Sequence, residues 1–206
     1  MAFQDNAKTE FASDLEEASA LQKGGAQCVD SFVRSNISWM LRAATRIVKD
    51  RALAEDCVQS AFVQIFQSLD GFRGEASLRS WMRRIVINQA LGVLRKRERM
   101  RESPFSDLSP SFDAGGCRIQ QAWQTTDTPE TLLASSQVTT AVLAAIDNLP
   151  DIYRVVILLR DIEEFSTTEV SEMLKIGESN VKIRLHRARA ALKILLEPIY
   201  GGRGQI

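Results

Sequence analysis

The sequence predicts an all-α fold of two small helical domains joined by a flexible linker. Three observations carry that expectation. Apolar residues recur at helical spacing through most of the chain, while strand-like alternation and hairpin dipeptides are absent. Residues 103–129, SPFSDLSPSFDAGGCRIQQAWQTTDTP, break all periodicity and hold three of the five Pro together with the pair Gly115-Gly116. The stretch EFSTTEVSEMLKIGESNVKIRLHRARAALKILL then reads as helix, tight turn, helix.

The elements follow in order. Residues 1–26 carry an acidic balance and match no element; they are expected to form a tail without fixed structure. Within a first domain at 27–101, residues 28–49 form a helix rich in Ile, Leu and Val with Trp39. Residues 51–69 form a second, with Val58, Phe62, Ile65, Phe66 and Leu69 at helical spacing. Asp70-Gly71 is read as its end, Gly71 serving as a left-handed stop. Residues 76–99 form a third, one face marked by Leu78, Met82, Ile85 or Val86, Gln89 and Val93. The linker spans 102–131, and its Phe105, Phe112 and Trp123 are unusual in a plain spacer.

The second domain is placed at 132–200, followed by a Gly-rich tail at 201–206. Helices are expected at 133–148, stopped by Leu149-Pro150, and at 151–163, with Ile152, Val155, Val156 and Leu159 inside. Ser166 or Thr167 is a candidate cap for the next helix, Gly177 lies in the turn, and Ser179 is a candidate cap for the last.

Composition narrows the function classes. The chain has 206 residues, 45% hydrophobic and 25% charged, which suits one or two packed domains of a soluble protein. No apolar run reaches transmembrane length, and the acidic N-terminus lacks the pattern of a signal peptide, so a cytoplasmic location is expected. Cys28, Cys57 and Cys117 stand singly, and His186 is the one histidine; neither a disulfide framework nor a metal site is expected, and no cofactor.

Net charge is zero, yet the charges are separated. Residues 73–101 carry nine bases and two acids, and residues 180–193 carry five bases and no acid. Residues 161–178 carry six acids and one Lys. Two basic segments set among acidic ones suggest two contacts with one polyanion. On a helical wheel Val181, Leu185, Ala188, Leu192 and Leu195 form a stripe to be buried, with Ser179, Ile183, His186, Arg187 and Ala190 opposite and Lys182, Arg184 and Arg189 on the flanks. Arg187, Lys182 and His186 supply donors for base edges, and Ile183 suits a thymine methyl. The competing reading is a merely solvated basic face.

In GFRGEASLRSWMRRIVINQALGVLRKRER, residues 71–99, Phe72 and Trp81 offer stacking surfaces, and Arg79, Arg83, Arg84 and Arg95 offer phosphate partners. Aromatics interleaved with bases suit single-stranded DNA. Trp81, inside a helix, also reads as core; Phe72 fits either role.

At this point the chain resembles a known family. Residues 30–99 resemble region two, and 133–196 region four, of the extracytoplasmic-function sigma factors of bacterial RNA polymerase. The strings AEDCVQSAFVQIF, FRGEASLRSWMRRIVINQALGVLRKR, LPDIYRVVILLRDIEEFSTTEVSEML and NVKIRLHRARAAL carry the likeness over about two-thirds of the chain. The resemblance implies a non-catalytic promoter-specificity subunit, active in stress-responsive transcription. Its partners would be core polymerase (the beta prime and beta subunits), promoter DNA and an anti-sigma factor.

It also implies residue roles. Asp56, Gln59 and Ser60 would bind the beta prime coiled coil; family members commonly have Glu where Ser60 stands, a departure that would either weaken the core contact or shift it to neighbours such as Gln64. Phe72, the loop 73–80 with Arg79, and then Trp81, Arg84 and Asn88 would open the minus-ten element and hold a flipped base. Ser179, Lys182, Ile183, Arg184, His186 and Arg187 would read the minus-thirty-five element, where many relatives carry a small or hydroxyl residue at the position of Ile183. The linker would run through the active cleft and RNA exit channel.

Two other classes compete on the residues alone. A stand-alone helix-turn-helix regulator explains 149–196 but not 71–99. A nucleic-acid enzyme would need a carboxylate cluster, and Asp161, Glu163 and Glu164 at a helix end are poorly spaced to meet.

Overall fold

The computed structural model describes residues 14–100 and 135–200. The linker at 102–131, with Phe105, Phe112, Cys117 and Trp123, lies outside them, as does the tail at 201–206. The chain divides into two compact units, Met1–Ser103 and Pro104–Ile206. The described residues form helices and connecting turns, with no strand among them, in agreement with the all-α expectation.

In the first unit residues 14–23 form α1, Ala26–Val48 form α2, Arg51–Ser68 form α3 and Leu78–Met100 form α4. The last three pack mutually. Met40, Ala44 and Ile47 of α2 meet Ala54, Ala61 and Ile65 of α3 and Met82, Val86, Ile87 and Ala90 of α4, all buried. The alanines at these positions let the helices approach closely. Lys49 ends α2 in the left-handed region (φ 54°), its N–H donating to the Thr45 carbonyl at 2.8 Å. Asp50 then starts α3, its carboxylate accepting from the Leu53 N–H at 3.1 Å.

Three details of this unit differ from the sequence reading. Residues 14–23, placed in an unstructured tail, are helical because Ala18 and Leu21 are buried against the unit. Gly71 is not a left-handed stop: α3 runs into a 3-10 turn, Leu69–Gly71, and the left-handed residue is Gly74 (φ 69°). Leu78, Met82, Ile85 and Val86 are buried on α4, but Gln89 and Val93 are half-buried while Ile87 is fully buried. With α2 and α3 both against it, α4 buries a broad face and not one stripe.

The second unit runs α5 (Ser135–Asp147), α6 (Asp151–Ile157), α7 (Thr167–Leu174) and α8 (Glu178–Tyr200). The helix expected at 151–163 is shorter: it passes into a π-turn at Leu158–Ile162, where the Glu163 N–H reaches the Leu158 carbonyl at 2.9 Å. Arg160 donates to the Phe165 carbonyl, and Glu164 sits at φ 60°, so the chain turns sharply into α7. Arg154, only 1% exposed, is held by Asp151 through Nη2 at 2.7 Å and Nε at 3.1 Å. Of the two candidate caps for α7, Ser166 is the one used. Its Oγ accepts from the Glu169 N–H at 3.2 Å, and Glu169 Oε2 accepts from the Ser166 N–H at 2.8 Å, a reciprocal capping box.

Ser179 does not cap the last helix. The Gly177 carbonyl already accepts from Asn180 and Val181, and α8 starts at Glu178, which leaves Ser179 in the first turn.

Candidate nucleic-acid interface

The α7–α8 pair is fixed locally before any partner is considered. Lys175 ends α7 in the left-handed region (φ 55°). Ser171 Oγ donates to the Ile176 carbonyl at 2.6 Å, and the Ile176 N–H returns to the Ser171 carbonyl at 3.2 Å. Thr168 Oγ1 donates to Glu178 Oε1 at 2.8 Å, tying α7 to the first turn of α8. On α8, Val181, Leu185, Ala188 and Leu195 are buried and Leu192 is half-buried, so the apolar stripe faces the unit's core.

The opposite face is therefore turned outward. Ser179, Lys182, Ile183, His186 and Arg187 are exposed, and Arg184 is half-buried on the flank. Ile183 is 49% exposed in the middle of this polar set. An exposed β-branched residue among cations and a histidine gains nothing from water, but it matches the mixed chemistry of a major-groove edge. The six residues expected to read the minus-thirty-five element thus share the N-terminal half of α8.

Arg189 is committed elsewhere. Its Nε and Nη2 donate to Asp161 Oδ2 and Oδ1 at 2.9 and 2.6 Å, a bidentate pair that binds α8 to the π-turn. The hydrogen bond that Arg189 donates to Asp161, and then the Asp161 charge, hold the Arg189 proton more firmly than usual. Three of the six acids of 161–178 accordingly have structural work: Asp161 orients α8, Glu169 closes the capping box and Glu178 ties α7 to α8. Among the described residues no group of three or more His, Cys, Asp or Glu is placed to hold a metal ion.

A second face lies on α4. Phe72 and Trp81, both half-buried, pack with ring centroids 5.4 Å apart at 50°. Trp81 is thus neither fully core nor free. Trp81, Arg84 and Asn88 stand at i, i+3 and i+7, on one side of the helix and spread over about 10 Å of its length. Asn88 is exposed. Arg79, expected among the phosphate partners, lies over the Trp39 ring at 5.0 Å, while Trp39 Nε1 donates to Asn36 at 2.9 Å. The guanidinium is thereby held at a set place on an exposed residue.

A third face lies on α3. Asp56, Gln59 and Ser60 are exposed together. The sequence reading missed Val63, one turn further along the same side and 57% exposed. Its signal was available in the i, i+3, i+4, i+7 spacing of 56, 59, 60 and 63. Gln64, a suggested substitute for Ser60, is engaged: its Oε1 accepts from Gln89 Nε2 at 2.8 Å. Beside Asp56, Cys57 is buried; burial first, and the Asp56 charge second, push its thiol pKa up, which makes it a poor nucleophile. Among the described residues no helix is long and apolar enough to cross a membrane.

Comparison with known proteins gives a consistent result. The family model for sigma-70 region 2 matches residues 32–100, and that for sigma-70 region 4 matches residues 139–192. A relative named RNA polymerase sigma-H factor, from Pseudomonas aeruginosa, is 28% identical over 186 residues, covering 90% of this chain and 95% of the relative. The ECF RNA polymerase sigma-E factor of Escherichia coli K12 is 30% identical over 148 residues, 70% of this chain and 74% of the relative. Among solved structures, the sigma factor RpoE of Bartonella quintana, crystallised with the anti-sigma factor NepR, aligns with a TM-score of 0.51 at 21% identity over 82% of this chain and 96% of that one. This last likeness speaks for the fold.

Proposed function

We propose, because the chain belongs to the extracytoplasmic-function branch of the sigma-70 family, that the faces on α3, α4 and α8 divide the work of promoter-specific initiation. Members of this family are specificity subunits without catalytic chemistry, and this chain is one of them. The α3 face, Asp56, Gln59, Ser60 and Val63, docks on the beta prime subunit of core polymerase, and the chain as a whole engages the beta subunit as well. The α4 face, Phe72, Arg79, Trp81, Arg84 and Asn88, melts the minus-ten element and keeps an unpaired base. The α8 face, Ser179, Lys182, Ile183, Arg184, His186 and Arg187, reads the minus-thirty-five element. The protein works in the cytoplasm, on the nucleoid when bound to polymerase.

The observation that carries this reading is the sidedness of α8. Its apolar stripe is used up by the second unit, and what remains is a compact basic face around an exposed Ile183. The stand-alone regulator fits that face equally but leaves the α4 set without a use. An anti-sigma factor that covers the α3 and α8 faces would hold the protein inactive; the Bartonella relative was crystallised with an anti-sigma factor.

The two DNA faces lie on separate compact units, each offering a small contact. The free protein is therefore expected to bind promoter duplex weakly and to bind it tightly only as holoenzyme, since a second contact counts when its distance is fixed. Co-elution with core polymerase and duplex affinity with and without core test this. Tight, sequence-specific binding by the protein alone would contradict it.

A further inference from the structure

We infer that α1 is a strut that holds the loop between Gly71 and Leu78 in a shape ready to receive an unpaired base, with Asp14 and Leu15 as positioning residues for promoter opening; this rests on the minus-ten role proposed above for Phe72 and the α4 face that this loop leads into. The contacts are specific. Asp14 Oδ2 accepts from the backbone N–H of Leu78, 64 residues away, at 2.9 Å. That amide belongs to the first turn of α4, where donors have no partner within the helix. Ser77 Oγ takes the neighbouring Ser80 N–H at 3.2 Å, so this end of the loop is secured at two amides.

The middle of the loop is secured by Leu15. Gly74 sits at φ 69°, and a Cβ placed there would lie 3.1 to 3.3 Å from three Leu15 side-chain carbons. Glycine is required twice, by the dihedral and by the closeness of Leu15. Leu15 itself is 43% exposed, a leucine kept at the surface with one side against the loop backbone. Ala18 and Leu21, both buried, anchor α1 to the rest of the unit. At the entry of the loop the Phe72 ring packs on Trp81.

The loop is thus held at entry, middle and exit, while Arg73, Glu75 and Ala76 between these points are exposed. A loop that receives an unpaired base pays to order its backbone at that moment unless the order already exists. α1 supplies that order in advance. Its sequence lies far from the basic segments, which is why charge patterning alone does not connect it with DNA.

The test uses full-length Asp14→Ala, Asp14→Asn and Leu15→Ala as holoenzymes, on a promoter that the wild-type holoenzyme selects in run-off transcription. Promoter opening is followed by permanganate reactivity, core affinity by competition with labelled wild type, and loop order by hydrogen exchange of residues 72–80. Asp14→Ala is expected to open the promoter about tenfold less well, the scale of a lost hydrogen bond to a charged group, with core affinity unchanged and faster exchange confined to the loop. Asp14→Asn, which keeps an acceptor, recovers most of the opening. Leu15→Ala, at a partly exposed position, shows the same split and serves should Asp14→Ala fold poorly. Unchanged opening, faster opening, or an equal loss of core affinity and opening would overturn the strut while leaving the promoter role intact. If the wild-type holoenzyme opens no promoter, the reading of the loop fails and the strut with it.

Discussion

If the α3 face docks on core polymerase, replacing Val63 separates core binding from folding. Val63 is 57% exposed on α3, so it contributes little to the packed unit. A valine presents about 160 Å² when fully open, which leaves about 90 Å² for a partner to cover, worth about 2 kcal/mol at about 25 cal/mol per Å². Val63→Ala removes two methyl groups, roughly half of that amount. Core affinity should fall by about 1 kcal/mol, or about fivefold. Val63→Gln loses the whole apolar contact and buries an amide, so it should cost at least about 2 kcal/mol, about thirtyfold. The fold responds differently. Alanine has the higher helix propensity, so Val63→Ala should leave the free protein as stable as wild type or raise its melting temperature slightly. Competition for core polymerase against labelled wild type, with thermal melts alongside, reads both effects. If both variants bind core like wild type, the α3 face is not the docking surface.

The other faces and the buried thiol make further predictions. Arg187→Ala should weaken holoenzyme binding to a promoter with its native minus-thirty-five element by about 1 to 3 kcal/mol, and much less when that element is scrambled; filter binding on the two templates checks it. Asn88→Ala should keep closed-complex affinity and lose melting; normal permanganate reactivity in the variant would remove Asn88 from the opening step. Cys57 holds its proton more tightly when folded than when unfolded. Its contribution to stability is therefore fully present below the unfolded thiol value and is lost as pH rises from there through the raised folded value. Urea melts from neutral to alkaline pH should show a steeper loss for wild type than for Cys57→Ala, and a thiol reagent should label Cys57 only at the rate of unfolding.

The legible parts of the chain were those where one element carries the whole signal. The sidedness of α8 follows from a stripe, 181, 185, 188 and 195, which needs only helical geometry and one apolar surface to dock on. Ser166 followed by Glu169 declares a capping box in the sequence itself. Contacts between distant segments were not legible. No spacing rule links Asp161 with Arg189, 28 residues on, or Asp14 with Leu78. The tail reading of residues 14–23 failed for the same reason: a short helix held by Ala18 and Leu21 is stabilised by the surface it meets. Gly71 looked like a stop because glycine favours left-handed backbone, but lysines occupy that conformation at the ends of α2 and α7. Non-glycine residues enter it at a cost of about 1 kcal/mol, which packing of the following helix offsets. Val63 escaped because a single exposed valine is ordinary; it acquires meaning only beside Asp56, Gln59 and Ser60.

The most direct test of the central claim is run-off transcription with purified bacterial core polymerase on a pool of genomic promoter fragments, with and without this protein. Transcripts that begin at discrete sites only when the protein is present are the predicted result, and their upstream sequences would define both promoter elements. Absence of such transcripts, together with failure to co-elute with core polymerase, would contradict the account.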